Sequence, residues 1–102
     1  MKELVIHRTY GLFHIPDELQ TVFNCSRYPQ EEVDLREDPR FIDWVLNSPN
    51  ASGFDVAYIP DEATDYEILE YDGAERIIMC VDGKLTYADT HKMRLWREQR
   101  NV

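Results

Sequence analysis

The sequence is short of cysteine, of glycine and of long apolar stretches, and each shortage excludes a class of protein. Cys25 and Cys80 form no Cys-x-x-Cys pair and have no histidine at metal-ligand spacing, so neither a zinc site nor a redox dithiol is indicated. Two free thiols are the expected state in a cytosolic protein, although spacing alone leaves a disulfide open. No run approaches the roughly 18 apolar residues that span a bilayer. Residues 1–6 contain no signal-peptide core, so we expect a cytoplasmic protein.

Motifs for nucleotide binding and for catalysis are also missing. With only four glycines, the chain has no phosphate-binding loop and no Gly-x-Gly-x-x-Gly, and it lacks Gly-x-Ser-x-Gly and His-Glu-x-x-His. The carboxylates of residues 61–67 lack the spacing of a calcium loop. We therefore assign no catalytic residue, no metal ligand and no cofactor, and we expect a non-enzymatic protein.

Positive charge is scarce, and the excess of negative charge is concentrated in one stretch. The chain has 11 Lys and Arg against 20 Asp and Glu, a formal net charge of −9. Between Pro29 and Glu75, fourteen acidic residues face only Arg36 and Arg40, a local balance of −12. We expect these carboxylates to form one negative surface that repels nucleic acid and attracts basic proteins. The alternative is a solvated face that keeps the protein soluble. The candidate partner-binding residues are Glu31, Glu32, Asp61, Glu62, Asp65 and Glu67.

The composition is sufficient for one folded domain over residues 1–102, since 43% of the residues are hydrophobic and 12% are aromatic. Period-2 alternation and two Asp-Gly turns, at 72–73 and 82–83, predict strands over 3–8, 54–59, 66–71, 74–81 and 85–87. Start signals and apolar stripes predict helices over 16–23, from Asp38-Pro39 onward, and over 89–101, with 24–37 as a loop. This pattern predicts an α+β fold, a mostly antiparallel sheet of four or five strands with two or three helices packed on one face.

The last segment, 88–102, is predicted to be a basic helix or tail. Lys92, Arg94, Arg97 and Arg100 outnumber Glu98 there, as suits the C-terminal end of a helix dipole. This segment could also fold onto the acidic region of its own or of a second molecule, so a homodimer stays open. Asp89 or Thr90 is expected to cap the helix, and its apolar anchors are expected to be Met93, Leu95 and Trp96.

Several motifs in order along the chain resemble those of a family of small tailed-phage and prophage proteins. Residues 7–13 read His-Arg-Thr-Tyr-Gly-Leu-Phe, similar to that family's N/H-R-x-Y-G-x-F opening. Residues 36–42 resemble its R-x-D-P-x-L-V helix start, and residues 57–61 and 68–75 resemble its I-P-D and E-Y-D-G-x-E segment. The chain departs at Leu12, where the family has a second glycine, and in its tail from Lys84. The resemblance implies a phage or prophage origin and a bacterial host cytoplasm, with no known activity to carry over.

The opening motif also places several functional side chains at the end of the first strand. His7, Arg8, Tyr10 and Phe13 form a candidate recognition turn, because binding groups commonly lie where a strand leaves the sheet. In an alternative interpretation, His7, Arg8, Tyr10 and His14 are the acid, base and phosphate-binding groups of a small hydrolase or nucleotide-binding protein.

The sequence thus favours a phage-encoded accessory protein that binds a basic host or phage protein through its acidic surface. A basic nucleic-acid-binding protein is the partner that such a surface fits, with the acidic residues acting as a nucleic-acid mimic that could inhibit it. The small hydrolase is one alternative, and a virion or assembly component is the other.

Overall fold

Two three-stranded antiparallel sheets form the framework of the protein in a computed structural model that describes residues 1–100. The central sheet has the order β1 (Lys2–His7), β2 (Phe54–Ile59) and β6 (Asp89–Thr90), and the outer sheet has the order β3 (Ala63–Tyr71), β4 (Ala74–Val81) and β5 (Lys84–Tyr87). The helices are α1 (Asp17–Phe23), α2 (Glu32–Arg36), α3 (Pro39–Asn47) and α4 (His91–Arg100). The α+β class and the antiparallel pairing are confirmed.

The strands form two sheets, where the sequence predicted a single sheet. One isolated bridge, between Arg8 and Ala74, links the sheets by main-chain pairing, and otherwise β4 packs its side chains on the central sheet. Helices cover the other face of the central sheet, so the fold has three layers. For this reason all six residues of β2 are buried, although its alternating sequence predicted burial on one face only.

Each face of the central sheet has its own core. On the helix side, Val5 and Val56 pack with Ile15 and Phe41, and Phe41 is fully buried. On the opposite side, the residues that pack between the two sheets are Leu4, Ile6, Ala57, Ile59, Ile77, Met79 and Ala88. Burial of an aromatic ring such as that of Phe41 is worth about 3–5 kcal/mol, judged from truncation to alanine in other cores. The two cores hold the outer sheet and the helices at fixed positions around β1.

The first two predicted helices begin where the start signals place them. Asp38 caps α3 by accepting a 2.8 Å hydrogen bond from the Arg40 N–H, with Pro39 in the first turn. Helix α2 lies in 24–37, a segment predicted as loop, so that part of the prediction is wrong. The helix has five residues without an apolar stripe, and its buried residue is Arg36, which no hydrophobic pattern would place in a core.

The meander of β3, β4 and β5 is also found as predicted. Asp72 and Gly73 have φ of 51° and 89°, and Asp82 and Gly83 have φ of 53° and 76°, which are the positive values that a tight two-residue turn requires.

Helix α4 begins as predicted but is attached differently. The Thr90 Oγ1 accepts a 3.2 Å hydrogen bond from the Met93 N–H, which confirms Thr90 as the cap. The predicted anchoring is wrong, because the proposed anchors are exposed: Met93, Leu95 and Trp96. Contacts of charged side chains hold the helix instead. One of them is a cation–π contact, in which the Arg94 guanidinium carbon lies 3.9 Å from the centroid of the Tyr58 ring. Residues 101 and 102 of the predicted 88–102 tail lie outside the described residues.

Candidate docking surface

A buried ion pair between α2 and β4 closes the free edge of β1. The Arg36 guanidinium donates two hydrogen bonds to the Glu75 carboxylate, at 2.8 and 2.7 Å, in a bidentate arrangement. Arg36 also donates to the Val5 carbonyl oxygen at 2.9 Å, and Glu75 accepts from the His7 N–H at 2.7 Å. Two main-chain groups at the free edge of β1, the Val5 carbonyl oxygen and the His7 N–H, are therefore satisfied by side chains.

The setting of this ion pair explains why α2 forms where no hydrophobic pattern predicts it. Arg36 is 3% exposed and Glu75 is 5% exposed, and the Phe13 ring lies 3.8 Å from the guanidinium carbon of Arg36. Burial lowers the pKa of Arg36, but the hydrogen bonds to Glu75 and Glu32 outweigh burial and raise it overall. Because a buried charge without a partner is costly, Arg36 fixes α2 beside β1 and β4.

Helix α2 and the C-terminal end of strand β3 meet at one shallow cavity, which Glu32 and Glu70 both line. Strand β3 lies at the edge of the outer sheet, with Tyr66 and Ile68 packed inward and Asp65 and Glu67 exposed on the opposite face. We define the acidic edge as seven carboxylates that lie on these two elements or next to them: Glu31, Glu32, Asp61, Glu62, Asp65, Glu67 and Glu70. It includes all six candidate partner-binding residues, and their role in binding stays a prediction.

The acidic edge has two ends, each with a shallow cavity of about 300 Å³. At one end, Asp61 and Asp65 line a cavity together with Lys2. At the other end, Glu32 from α2 and Glu70 from β3 line a second cavity. Asp65 and Glu70 are five residues apart on an extended strand, so the ends are separated by about 17 Å. A rigid strand thus fixes the spacing between two groups of carboxylates.

Few of the carboxylates near this edge are neutralised. Among residues 1–100, five of the fourteen acidic residues between Pro29 and Glu75 form ion pairs, and a sixth, Asp55, is buried. The N-terminal ammonium group hydrogen-bonds to Asp61 and lowers the pKa of that carboxyl, and a hydrogen bond to Glu37 raises the pKa of Lys2. The other eight are exposed and have no ion pair in the part of the chain that the structure describes: Glu31, Asp34, Asp43, Glu62, Asp65, Glu67, Glu70 and Asp72.

The fourteen carboxylates do not act as one surface, contrary to the expectation from the sequence. Asp55 and Glu75 are buried and bind main-chain N–H groups, and Asp38 caps α3. Asp43 lies on α3, outside the acidic edge. The expectation from the sequence was too large because a sequence does not distinguish two kinds of carboxylate. One kind accepts hydrogen bonds from buried N–H groups, and the other is exposed to solvent.

The basic helix α4 does not cancel the acidic edge. Arg94 and Arg97 bind Asp89 instead, with nitrogen–oxygen distances of 2.9 and 2.6 Å, and the Arg97 hydrogen bond is the main cause of the lowered pKa of Asp89. Lys92 donates to the Ser52 carbonyl oxygen at 2.8 Å. Within residues 1–100, the cations of α4 thus make their ion pairs inside the C-terminal segment.

Exposed aromatic side chains stand next to the acidic edge. Tyr71, on β3 between Glu70 and Asp72, is 81% exposed, and Tyr10 is 86% exposed. The loop of Tyr10 is held against the β3–β4 turn at Gly73, where a Cβ atom would lie 2.3 Å from the Thr9 carbonyl oxygen. Only glycine permits this close approach, and it joins the opening motif to the Asp-Gly turn. Tyrosines amid carboxylates are suited to a protein interface.

The predicted recognition turn is spread over several environments in the structure. Of its members, His7 is buried in β1, Phe13 covers Arg36, Tyr10 points to solvent and Arg8 donates to the Glu75 carbonyl oxygen at 2.7 Å. Tyr10 is the member most exposed next to the acidic edge. A joint role of the four residues in recognition stays a prediction.

The two histidines of the hydrolase alternative do meet, with ring centroids 5.1 Å apart. His7 is nonetheless 1% exposed, and burial is the main cause of its lowered pKa. Its Nε2 lies 3.0 Å from the Thr9 hydroxyl, and its Nδ1 has no hydrogen-bond partner among the described residues. Arg8 binds the Glu75 carbonyl oxygen and Tyr10 points to solvent, so within residues 1–100 the four groups do not converge on one point.

Cys25 and Cys80 are free thiols, each half-buried. Within residues 1–100, no three His, Cys, Asp or Glu side chains are grouped so that they could hold a metal ion. Of the helices in this range, none has the length and apolar character required to cross a membrane.

The fold and this surface define an acidic α+β protein with two stacked sheets. No family model, no curated protein and no solved structure matches the chain. Any functional conclusion therefore depends on the geometry of its own residues.

Proposed function

We propose that this protein binds a basic partner protein through the acidic edge and acts by occupying the partner's surface. The observation that carries the proposal is that five exposed carboxylates of the acidic edge make no ion pair within residues 1–100, although this part of the chain contains basic residues: Glu31, Glu62, Asp65, Glu67 and Glu70. Unpaired charges of one sign create a field that speeds the approach of an oppositely charged protein.

Two further features support the proposal. The carboxylates lie on a strand and on a helix anchored by a buried ion pair, so their spacing is fixed before binding and little conformational entropy would be lost. Tyr71 and Tyr10 add apolar contact area beside the charges, which a charge-only surface would lack. A partner that normally binds nucleic acid fits this combination, because carboxylates held on rigid elements can take the place of phosphates.

The cellular setting belongs to the proposal as well. The motifs shared with tailed-phage and prophage proteins support an accessory role in a bacterial cytoplasm, with a host or phage protein as the partner. This part is supported by the sequence motifs alone.

The experiment compares two variants that each lose four negative charges, from −9 to −5. The edge variant carries Glu31→Gln, Glu62→Gln, Asp65→Asn and Glu67→Gln. The control variant carries Asp17→Asn, Asp43→Asn, Asp82→Asn and Glu98→Gln, all on exposed carboxylates outside the edge. Tagged proteins are used to capture partners from bacterial lysates, and captured proteins are identified and re-tested as purified pairs.

We expect the edge variant to bind its purified partner at least tenfold more weakly, with a reduced dependence on salt concentration. The control variant should bind nearly as well as the unaltered protein. Double-stranded DNA added in excess should displace the protein from a nucleic-acid-binding partner. Equal weakening in both variants would contradict the proposal, since it would show a response to net charge only.

A further inference from the structure

A second cavity lies away from the acidic edge, between α4 and the part of β4 that β5 leaves uncovered. Strand β5 pairs with β4 only over residues 78–81, and the Ala88 N–H then donates to the Ile77 carbonyl oxygen at 2.8 Å. Beyond that point, α4 faces β4 across a cavity of about 540 Å³. This volume is within the range of small-molecule sites, roughly 300–1,000 Å³.

The walls of this cavity are mainly apolar. Ile6 and Ile77 form its floor from the core between the sheets, and Met93, Trp96 and Tyr87 line its sides. These three side chains are more than half exposed, although Met93 and Trp96 are the residues that the sequence predicted as anchors of α4. The apolar side of α4 therefore borders an open cavity that no described side chain fills.

The cavity also collects cations that have no carboxylate partner. In a chain with 20 acidic and 11 basic side chains, most cations are expected to find an acidic neighbour. Among residues 1–100, five make no ion pair: Arg8, Arg76, Lys84, Lys92 and Arg100. Three of these five, Arg8, Arg76 and Lys92, line the same cavity. We call it the cationic cavity.

Two carboxylates also line the cationic cavity, but both are already engaged. Glu75 is paired with Arg36, and this pairing neutralises the carboxylate. The Asp55 Oδ1 accepts hydrogen bonds from the N–H groups of Val56 and Lys92, at 2.8 and 3.1 Å. With Arg36 and its second partner Glu32 counted, four cations stand against three carboxylates, so the cavity keeps an excess of positive charge.

We propose that the cationic cavity binds a small organic anion with an apolar body and one carboxylate or phosphate group. The body lies between Trp96, Met93 and Tyr87. The acidic group is bound by Arg8 and Arg76, which the structure holds in place: Arg8 donates to the Glu75 carbonyl oxygen at 2.7 Å, and the Arg76 guanidinium lies 5.5 Å from the Tyr87 ring centroid. An arginine can keep one such contact and still offer several N–H donors to an anion.

The test follows the two indole N–H signals in nitrogen–proton correlation spectra of the whole chain. Octanoate, octyl phosphate and 1-octanol are added separately, so that the acidic group is varied while the apolar body is kept. Trp96 lines the cavity, whereas Trp44 packs against the helix-side core and serves as an internal control. We expect saturable shifts at Trp96 and none at Trp44, with at least one of the two anions binding roughly tenfold or more tightly than 1-octanol.

Variants separate the two parts of the site. Arg76→Gln with Lys92→Gln removes two exposed cations without an ion pair, and should weaken the preferred anion roughly tenfold while leaving 1-octanol unchanged. The matched control, Lys84→Gln with Arg27→Gln, removes two exposed cations outside the cavity and should change neither. Trp96→Ala, at an exposed position, should weaken all three compounds.

The stronger of the two anions identifies the acidic group, carboxylate or phosphate. An absence of saturable shifts at Trp96 with all three compounds would overturn the proposal. Equal weakening by the control variant would also overturn it, because the preference would then reflect net charge. Neither outcome bears on the acidic edge, which has a different partner and a different readout.

Discussion

The acidic edge and the cationic cavity differ in charge, although a single side chain borders both. Glu75 lines the cavity between Glu32 and Glu70 at the acidic edge, and it also lines the cationic cavity. On the first side the charges are carboxylates on an open surface, and on the second they are cations around an apolar recess. In a chain of net charge −9, unpaired carboxylates are common, so the grouping of unpaired cations is the more specific signal of a ligand.

The two regions stay separate because the ion pair of Arg36 and Glu75 lies between them. Its two charges are buried, and besides each other they bind the Val5 carbonyl oxygen and the His7 N–H of β1. The exposed pair of Arg40 and Asp38 has a similar length, 2.8 Å, but lies on the surface of α3. Burial rather than distance makes the first pair important for stability.

The largest expected effect comes from breaking that ion pair. Glu75→Gln should lower the free energy of unfolding by about 3–5 kcal/mol, because the buried Arg36 loses the carboxylate that holds it. Chemical denaturation measured at pH 7 checks the value. Arg40→Gln, which breaks the exposed pair, should have a much smaller effect on the free energy of unfolding, because solvent screens an exposed pair. Similar losses in the two variants would show that the buried ion pair between the two regions contributes no more stability than an exposed one.

A smaller loss is expected where the opening motif meets the β3–β4 turn, next to the acidic edge. Gly73→Ala places a Cβ atom 2.3 Å from the Thr9 carbonyl oxygen and should cost more than about 2 kcal/mol. Gly83 has a similar positive φ but no atom within 4 Å of the position that a Cβ would take, so Gly83→Ala should cost only about 1 kcal/mol. Thermal unfolding of both variants measures the difference. Equal costs would mean that strain at positive φ accounts for both.

The free energy of unfolding should depend on pH through His7, which lies at the end of β1. Burial lowers the pKa of His7, and the neighbouring His14 and Arg36 lower it further while Glu75 raises it. The unfolded chain therefore takes up a proton near pH 6.5 that the native protein does not, and the free energy of unfolding should fall as the pH decreases below this value. Denaturation between pH 7.5 and 5.5 measures the slope. His7→Gln should reduce that slope, and an unchanged slope would assign it to other groups.

The smallest effect on stability is expected at the surface of the acidic edge. Tyr71→Ser removes an 81% exposed ring and should change the free energy of unfolding by less than about 0.5 kcal/mol. The same change should weaken binding to a purified partner at least threefold, since the ring adds apolar contact beside the carboxylates. Tyr87→Ser, at an exposed tyrosine outside the acidic edge, serves as the comparison. If both variants bind like the unaltered protein, the surface acts through charge alone.

Local sequence signals predicted most elements of the fold. Asp38-Pro39 marks the start of α3, and the two Asp-Gly turns set the β3–β4–β5 meander, because these signals depend on residues next to each other in the chain. Helix α2 was missed because its stability comes from Arg36 reaching Glu75, 39 positions away. No pattern of neighbouring residues carries that information.

The candidate sites likewise divide into one that neighbouring residues predict and one that depends on contacts between distant segments. The six carboxylates chosen from the sequence lie on α2, on β3 or in adjacent turns, because acidic residues close in sequence stay close on one strand or turn. The cationic cavity was not found, since Arg8, Arg76 and Lys92 come from three distant segments. The one sequence signal for this cavity is the apolar pair of Met93 and Trp96 on a strongly basic helix, a pattern that is also typical of an anchored helix.

The sequence by itself determined the α+β class, the turns, the helix caps and the excess of negative charge. These properties depend on composition and on residues within a few positions of each other. Only the tertiary structure decided that the strands form two stacked sheets, that Asp55 and Glu75 are buried, and which cations remain without a partner. The reason is physical: burial and ion pairing depend on which distant segments pack together, and the three-layer packing around β1 makes that selection.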